Sequence, residues 1–450
     1  MKLSHALFRA LPLAAALTFA FAPAAQAQSL VELYETARGY DASYISAKSQ
    51  YEANLAKANQ TLGGVLPNIA LSASATRTYF NYRPDDPSLA TPRDLYYGTG
   101  TAAVTLTQPL YRPAVWATYK QGGPLLQQAT AQYEAAEQDL LVRVSQAYFD
   151  VLTSEDSLEL VRAQKKAVGE QLASAKRNFE VGTTTITGVR DAQARFDLAT
   201  AQEIAAENDA RIKHLALDLV VGLSNATPLR LADSKQLVKA PAEDVNTWVS
   251  QSEVASPSVR QAQLALEVAK LEVDKAMAGH KPTLDAQVSY GGIRNVGGSS
   301  TQSVSSHVYN PSAGLVLNLP IFSGFATDYR VKETVSLESK ARADLEAAKR
   351  NTAQSTRTAY FGLVSGLSQV QAYEAAEASS QSSLDANKLG YSVGVNINID
   401  VLNAQSQLYQ TKRDLAKARY DVLVGTLKLR QATGTLTPQD LQPINALLKP

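Results

Sequence analysis

Between Leu140 and Phe179, the residues Leu140, Val144, Ala147, Val151, Ser154, Leu158, Val161, Lys165, Val168, Leu172, Ala175 and Phe179 fall at alternating steps of four and three. A heptad seam held for that long commits the segment to a supercoiled helix rather than to one wall of a globular core. From Pro124 to Glu180 such a helix spans roughly 85 Å at about 1.5 Å per residue. No core of ordinary size needs that length. The helical region is expected from about Ala114, with a kink where Gly122-Gly123-Pro124 interrupts it.

The helix must turn back at Asn178 to Val189, where glycines and β-branched residues make a poor helix interior. The same composition returns at Leu389 to Leu402, with Gly394 standing 212 residues after Gly182. Other strings repeat at nearly the same interval: Lys281-Pro282-Thr283 after Leu66-Pro67-Asn68, Pro320-Ile321-Phe322 after Pro109-Leu110-Tyr111, and Ala359-Tyr360-Phe361 after Ala147-Tyr148-Phe149. The chain is therefore read as an internal duplication, with a first repeat at 28–240, a second at 241–434 and a C-terminal tail at 435–450.

Each repeat holds a helix, a β-hairpin (67–111 and 282–322) and a long helical hairpin (114–222 and 325–431). The first helix is expected from Leu30 to Leu62, its second copy from Pro257 to Ala278, and Leu223 to Pro241 as a polar connection. Ile69, Leu71, Ala73 and Ala75 alternate with Ser72, Ser74 and Thr76, the period of a half-buried strand. Thr99 to Leu110, Leu284 to Tyr290 and Leu315 to Ile321 read likewise, with loops at Tyr79–Gly98 and Gly291–Asn310. The last helix, Ile399 to Gln431, sets Val401, Leu408, Leu415, Val422 and Leu429 seven apart, with small residues at Ala404, Thr411, Ala418 and Gly425 between them.

Met1 to Ala27 has a basic start (Lys2, Arg9), an apolar run (Leu11–Ala22) and the small-x-small site Ala25-Gln26-Ala27, which reads as a cleavable signal peptide. Beyond it no apolar run is long enough for a membrane helix. Removing Lys2 and Arg9 from the 43 basic residues leaves 41 against 42 acidic ones, a formal charge of −1, so nothing favours nucleic acid. With no cysteine, disulfides, thiolate zinc sites and cysteine nucleophiles are excluded together. The remaining histidines, His214, His280 and His307, are too far apart to pair, and no P-loop or nucleophile-elbow pattern occurs. No enzyme and no cofactor are expected.

The strands fit two roles: core hairpins, or membrane strands of about ten residues with a small polar inner face. Four strands cannot close a barrel, and open edges are not tolerated in lipid, so membrane strands would force copies to share one.

Several strings together resemble the TolC channel-tunnel family of Gram-negative outer membranes over nearly the whole mature length. They are Tyr391-Ser392-Val393-Gly394, Asp400-Val401-Leu402, Leu408-Tyr409, Ala416-Lys417-Ala418-Arg419-Tyr420 and Gly434-Thr435-Leu436, and in the first repeat Val181-Gly182, Ile186-Thr187 and Ala192-Gln193-Ala194. The resemblance implies an α+β, mainly α chain: a homotrimer with a twelve-stranded transmembrane β-barrel and a long periplasmic α-helical barrel. It implies a periplasmic adaptor docking at the tip turns (Val181, Gly182, Val393, Gly394) and an inner-membrane ABC or RND-type pump. The cargo would be protein by type I secretion, drugs and small molecules, or both.

By the same resemblance the tips constrict the pore. Asp400 matches a position in a carboxylate ring and would be a candidate divalent-cation site, and Asn403 stands where a second acid is expected. Tyr391 and Thr187 match gating contacts. Gly188 replaces an expected carboxylate and Asn396 an expected arginine, so the ionic latch is expected to be missing. The competing reading is a periplasmic adaptor or structural coiled-coil protein, which shares heptads and a signal peptide but needs no membrane hairpins.

Overall fold

The structure is a computed structural model that describes residues 27–86, 88, 91–232, 243–302 and 304–449. The expected signal peptide lies outside these residues except for Ala27, as do residues 233–242. In chain order, α1 (Leu30–Tyr40) and α2 (Ala42–Gln60) lead into strands β1 (Asn68–Tyr82) and β2 (Arg93–Tyr111), then the long helices α3 (Pro113–Glu180) and α4 (Ile186–Val221). After the short strand β3 (Arg230–Leu231) the order recurs: α5 (Val245–Ala255), α6 (Pro257–Met277), β4 (Thr283–Val296), β5 (Ser306–Asn318), α7 (Ala326–Ser392) and α8 (Asn398–Thr433). Helix α9 (Leu441–Asn445) and strand β6 (Leu448–Lys449) follow. The second round repeats the first, so the duplication read from the sequence is a duplication of structure.

Several local expectations change. The first helix is two, broken at Asp41, whose carboxylate caps α2 by accepting the Tyr44 N–H at 2.8 Å and is gripped by both Arg143 Nη atoms at 2.9 and 3.0 Å. Gly39 in the last turn of α1 and the local Asp41 cap mark the break, and the long-range Arg143 pair holds the capping carboxylate in place. The kink expected at Gly122-Gly123-Pro124 is not a break, because α3 runs on through Pro124 for 68 residues. Gly122 instead allows close approach: a Cβ there would lie 2.7 Å from Thr61 Oγ1 and 3.1 Å from the Ala58 carbonyl at the end of α2.

The strands outrun their apolar alternation. Residues 93–98, 291–296 and 306–310, expected as loop, are paired, and the fourth strand sits at Ser306–Asn318 rather than Leu315–Ile321. Cross-strand hydroxyl and amide pairs extend them: Asn295 to Ser306 at 3.1 Å, Ser289 to Ser312 at 2.8 Å, Ser74 to Thr101 at 2.7 Å. The supposed tail is core, since Leu441, Ile444 and Leu448 join Leu33, Tyr34, Leu141, Tyr148, Leu217 and Leu427 in the largest apolar cluster. Each such side chain contributes about 2 kcal/mol of burial, which clamps α1 and the last helix against the middle of α3 and the C-terminal parts of α4 and α8.

Elements lie in open rows of four. The antiparallel sheet runs β1-β2-β4-β5; beside it the helices run α2, α3, α6, α7, and towards the far tips α4, α3, α8, α7. In the sheet, one face is apolar. Ile69, Leu106, Val288 and Ala313 share one level of it, and Leu71, Val104, Tyr290 and Pro311 the next. These side chains face outward, with Leu71 75% and Leu315 66% exposed. The opposite face carries Ser72, Ser74, Thr101, Thr105, Ser289 and Ser312 at the intervening positions.

Candidate functional site at the helical tips

The two tips are the same turn. Val181, Gly182 and Thr183 donate their N–H groups to the carbonyls of Arg177, Phe179 and Asn178 at 3.2, 3.0 and 2.8 Å. Val393, Gly394 and Val395 donate to Leu389, Tyr391 and Gly390 at 3.2, 3.2 and 2.8 Å. Gly182 (φ +80°) and Gly394 (φ +79°) hold the left-handed position that closes a helix, which a side chain would strain. Val181, Val393, Val395 and Ile397 stand from 64% to 79% exposed around them, an apolar cap on each hairpin.

The return helices start differently. Thr185 Oγ1 accepts the Gly188 N–H at 3.4 Å at the start of α4. Ile397 has no such oxygen, and Asp400 supplies it from inside α8, accepting the Ile397 N–H at 3.2 Å. A carboxylate in the first turn is also favoured by the helix dipole. Its other oxygen has no partner among the described residues, so Asp400 can cap its helix and still present negative charge at the tip.

Of the residues expected at the constriction and in the gating contacts, one of each reaches the other hairpin. The Tyr391 hydroxyl accepts from Asn178 Nδ2 at 3.1 Å, and Asn403 Oδ1 accepts from Arg195 Nη2 at 2.7 Å. The others stay local. Thr187 shares a 2.7 Å hydrogen bond with Thr185. Asn396 donates to Asn387 at 2.9 Å and folds over Gly390, where a Cβ would lie 2.7 Å from its amide nitrogen. A Cβ at Gly188 would meet Thr184 Oγ1 at 3.3 Å and Thr185 Oγ1 at 3.9 Å, both on its own turn. Among the described residues no ion pair joins one hairpin to the other.

Sequence reasoning passed over the residues that line the seam between α3 and α8. Gln171 donates to Asn398, and one heptad further from the tip Gln164 and Gln405 are both buried, each with its carbonyl oxygen unpaired. Deeper still, Tyr420 donates to Asp156 at 2.7 Å. Burial holds the Asp156 carboxyl above its ordinary value, opposed by the Tyr420 hydroxyl and Arg230, and raises the Tyr420 phenol as well. The signal was available as amides spaced seven apart on both helices, beside the apolar seam rather than in it. Leu402 is the apolar member: it inserts among Val168, Leu172, Ala175 and Ala192 of the first hairpin.

The fold built on these tips has relatives. A model of the outer membrane efflux protein family matches residues 33–223 and 248–435, one block in each round of elements. The chain belongs to that family. Outer membrane protein TolC of Vibrio cholerae serotype O1 is 33% identical over 427 residues, covering 94% of each chain. The alkaline protease secretion protein AprF of Pseudomonas aeruginosa is 29% identical over 432 residues, covering 93% of this chain and 87% of its own. Among solved structures, the Campylobacter jejuni CmeC outer membrane channel superposes with a TM-score of 0.78 over 92% of this chain and 89% of that one, at 16% identity. The solved neighbours are outer membrane channels with a helical-barrel and a β-barrel domain, and this chain's four-stranded sheet and long helical hairpins have the same fold.

Proposed function

We propose that this chain is the protomer of a trimeric exit duct that spans the outer membrane and the periplasm. It passively conducts cargo delivered by an inner-membrane ABC or RND-type pump through a periplasmic adaptor. The observation that carries the reading is the open row of four at every level. β1 and β5 leave both sheet edges unpaired, while one sheet face is apolar and largely exposed. In lipid, unpaired strand edges are untenable, so copies must pair edge to edge; three copies give twelve strands, a closed barrel of familiar size. On the helical side, α4 presents Leu198, Ile204, Leu215 and Leu219, each more than half exposed, where a neighbouring copy would pack.

The tip turns at Val181, Gly182, Val393 and Gly394, with their apolar caps, are the natural docking point for the adaptor. At the same end three Asp400 carboxylates would ring the lumen, favouring cations and able to hold a divalent ion among them. Asn403 contributes less, being neutral and occupied by Arg195. A signal peptide at residues 1–27 would carry the chain across the inner membrane. Protein cargo through a type I system is supported by the likeness to a protease secretion protein, and drugs and other small molecules by membership in an efflux family.

Single-channel conductance in planar bilayers tests the reading. The wild-type protein should give a small, cation-selective conductance blocked by millimolar-range divalent cation, and Asp400→Ala should raise the conductance and remove the block. Absence of any pore would return the chain to the adaptor class.

A further inference from the structure

At the end of the sheet away from the helices, the apolar face changes character. On that face Ala75, Gly100, Arg294 and His307 occupy one level, and Arg77, Gly98 and Val296 the next level out. Arg294 and His307 are direct cross-strand partners. Beyond them Tyr79 and Tyr96 stack at 4.7 Å, as aromatic residues do where a membrane meets water. The acid nearest in register, Asp94, is already engaged by Arg83 at 2.8 Å and by Asn81 and Tyr79. Among the described residues neither Arg77, Arg294 nor His307 has an acidic partner.

The glycines between these arginines sharpen the point. Gly98 and Gly100 have ordinary extended-strand backbones, and a Cβ at either would find nothing closer than 3.9 Å. Neither turn geometry nor close packing requires glycine, and glycine weakens a strand. What the pair leaves is a hollow of about 390 Å³ walled by Arg77 and Arg294. It adjoins a second, of about 330 Å³, between Arg294, His307 and Tyr309, with Gly100 and Gly292 in its floor.

We propose that this patch docks a phosphorylated glycolipid of the outer leaflet, its phosphate taken by Arg77 and Arg294 and its sugar seated over Gly98 and Gly100. The assignment rests on the duct reading, in which this face meets lipid. Pairing of β1 and β5 with other copies covers the sheet edges and leaves the face bare. Arginine forks suit phosphate oxygens in two-point contacts, and an anionic headgroup supplies the acidic partner that Arg77 and Arg294 lack among the described residues.

The test uses the full chain in detergent and a fluorescent, bisphosphorylated lipid A. Arg77→Gln with Arg294→Gln should weaken binding by about tenfold or more, the loss expected for two charge-assisted contacts. The corresponding double lysine variant should fall between, keeping charge without the fork. Gly100→Leu fills the hollow with the charges intact, and should also weaken binding. Dephosphorylated lipid A should bind the wild type as poorly as lipid A binds the double glutamine variant. Equal binding by that variant, or of the dephosphorylated lipid, overturns the proposal, as does inorganic phosphate competing as strongly as the lipid. Bilayer conductance keeps the two readings apart: pores with unchanged lipid binding in the variants remove this site alone, whereas a wild type without pores removes the duct.

Discussion

The seams within the hairpins and the seam between them are built from different chemistry. Inside the first hairpin Val168, Leu172, Ala175 and Ala192 pack across α3 and α4, flanked by Lys165–Glu203 and Arg162–Glu207 pairs, both at 2.7 Å. Inside the second, Leu384, Val401, Leu408, Leu363, Val370 and Leu415 do the same across α7 and α8, with Arg419–Glu374 at 2.8 Å. Between the hairpins, the tip-ward part of the α3–α8 seam holds Leu402 and a ladder of amides as far as the Asp156–Tyr420 contact; beyond it Phe149 and Leu152 of α3 meet Leu423 and Leu427 of α8 in the largest apolar cluster. A buried apolar side chain contributes about 2 kcal/mol. A neutral hydrogen bond nets about 1 kcal/mol, and an unpaired buried carbonyl costs about as much or more. Each hairpin is therefore a rigid unit, and the tip-ward part of the α3–α8 seam is where one unit can shift against the other, with the apolar cluster beyond Tyr420 as its anchor. In the proposed duct, a tip that opens would do so along this weaker seam.

Truncating one residue in each kind of seam tests the inequality most severely. Leu408→Ala should cost about 3 kcal/mol, the usual price of an interior leucine, read by urea unfolding followed by far-ultraviolet circular dichroism. Gln405→Ala should cost about 1 kcal/mol or less, because it also removes an unpaired carbonyl. Equal losses would mean the seams are equivalent. Next in size, Gln164→Leu combined with Gln405→Leu should stabilise the protein by about 2 kcal/mol, replacing two unsatisfied amides with apolar contact. If the seam is the hinge, the same variant should also lower single-channel conductance; higher conductance would place the hinge elsewhere.

That contrast shows what a sequence makes legible. The apolar seams announce themselves by period, and the tips by glycine, because one chain segment carries the whole signal in each case. The duplication was legible for the same reason, through strings such as Pro109-Leu110-Tyr111 and Pro320-Ile321-Phe322. Features made by two distant segments were not. The Asp41 carboxylate that caps α2 is held by Arg143, 102 residues away, a partner the local sequence does not show. Gly122 sits in a continuous helix because the end of α2 presses on it. Residues 291–296 extend a strand through polar pairs with β5 that no alternation within either segment reveals. At the tip, Asp400 and Tyr391 could be singled out in advance, but Arg195 on Asn403 and Asn178 on Tyr391 required the two hairpins to be set side by side.

Arg195→Ala gives a smaller test of the same seam. It removes the exposed Arg195–Asn403 bond, worth about 1 kcal/mol or less in solvent. Its mark should be a modest rise in conductance with no measurable change in unfolding. A large loss of stability would show that the bond is structural rather than a tip contact.

The smallest effect is a dependence on pH. Asp156, at the deep end of the seam, has its carboxyl raised chiefly by burial, so the folded protein holds this proton to a higher pH than the unfolded chain does. Stability falls with rising pH wherever the folded state binds more protons. The contribution of a neutral Asp156 is thus fully present below the ordinary carboxylate value of about 4 and is lost as pH climbs through the raised one. Above that, the seam holds a charged carboxylate steadied by the Tyr420 hydroxyl and by Arg230, whose guanidinium is itself shared with Glu159 at 2.8 Å. Asp156→Asn keeps an acceptor for Tyr420 and cannot ionise, so its melting temperature should lose the downward slope that the wild type shows above about pH 4. An unchanged slope would assign the titration to another carboxyl and leave Asp156 a spectator of the hinge. A flattened slope joined by unchanged conductance at acid pH would locate the moving part of the seam nearer the tip, at Gln164 and Gln405.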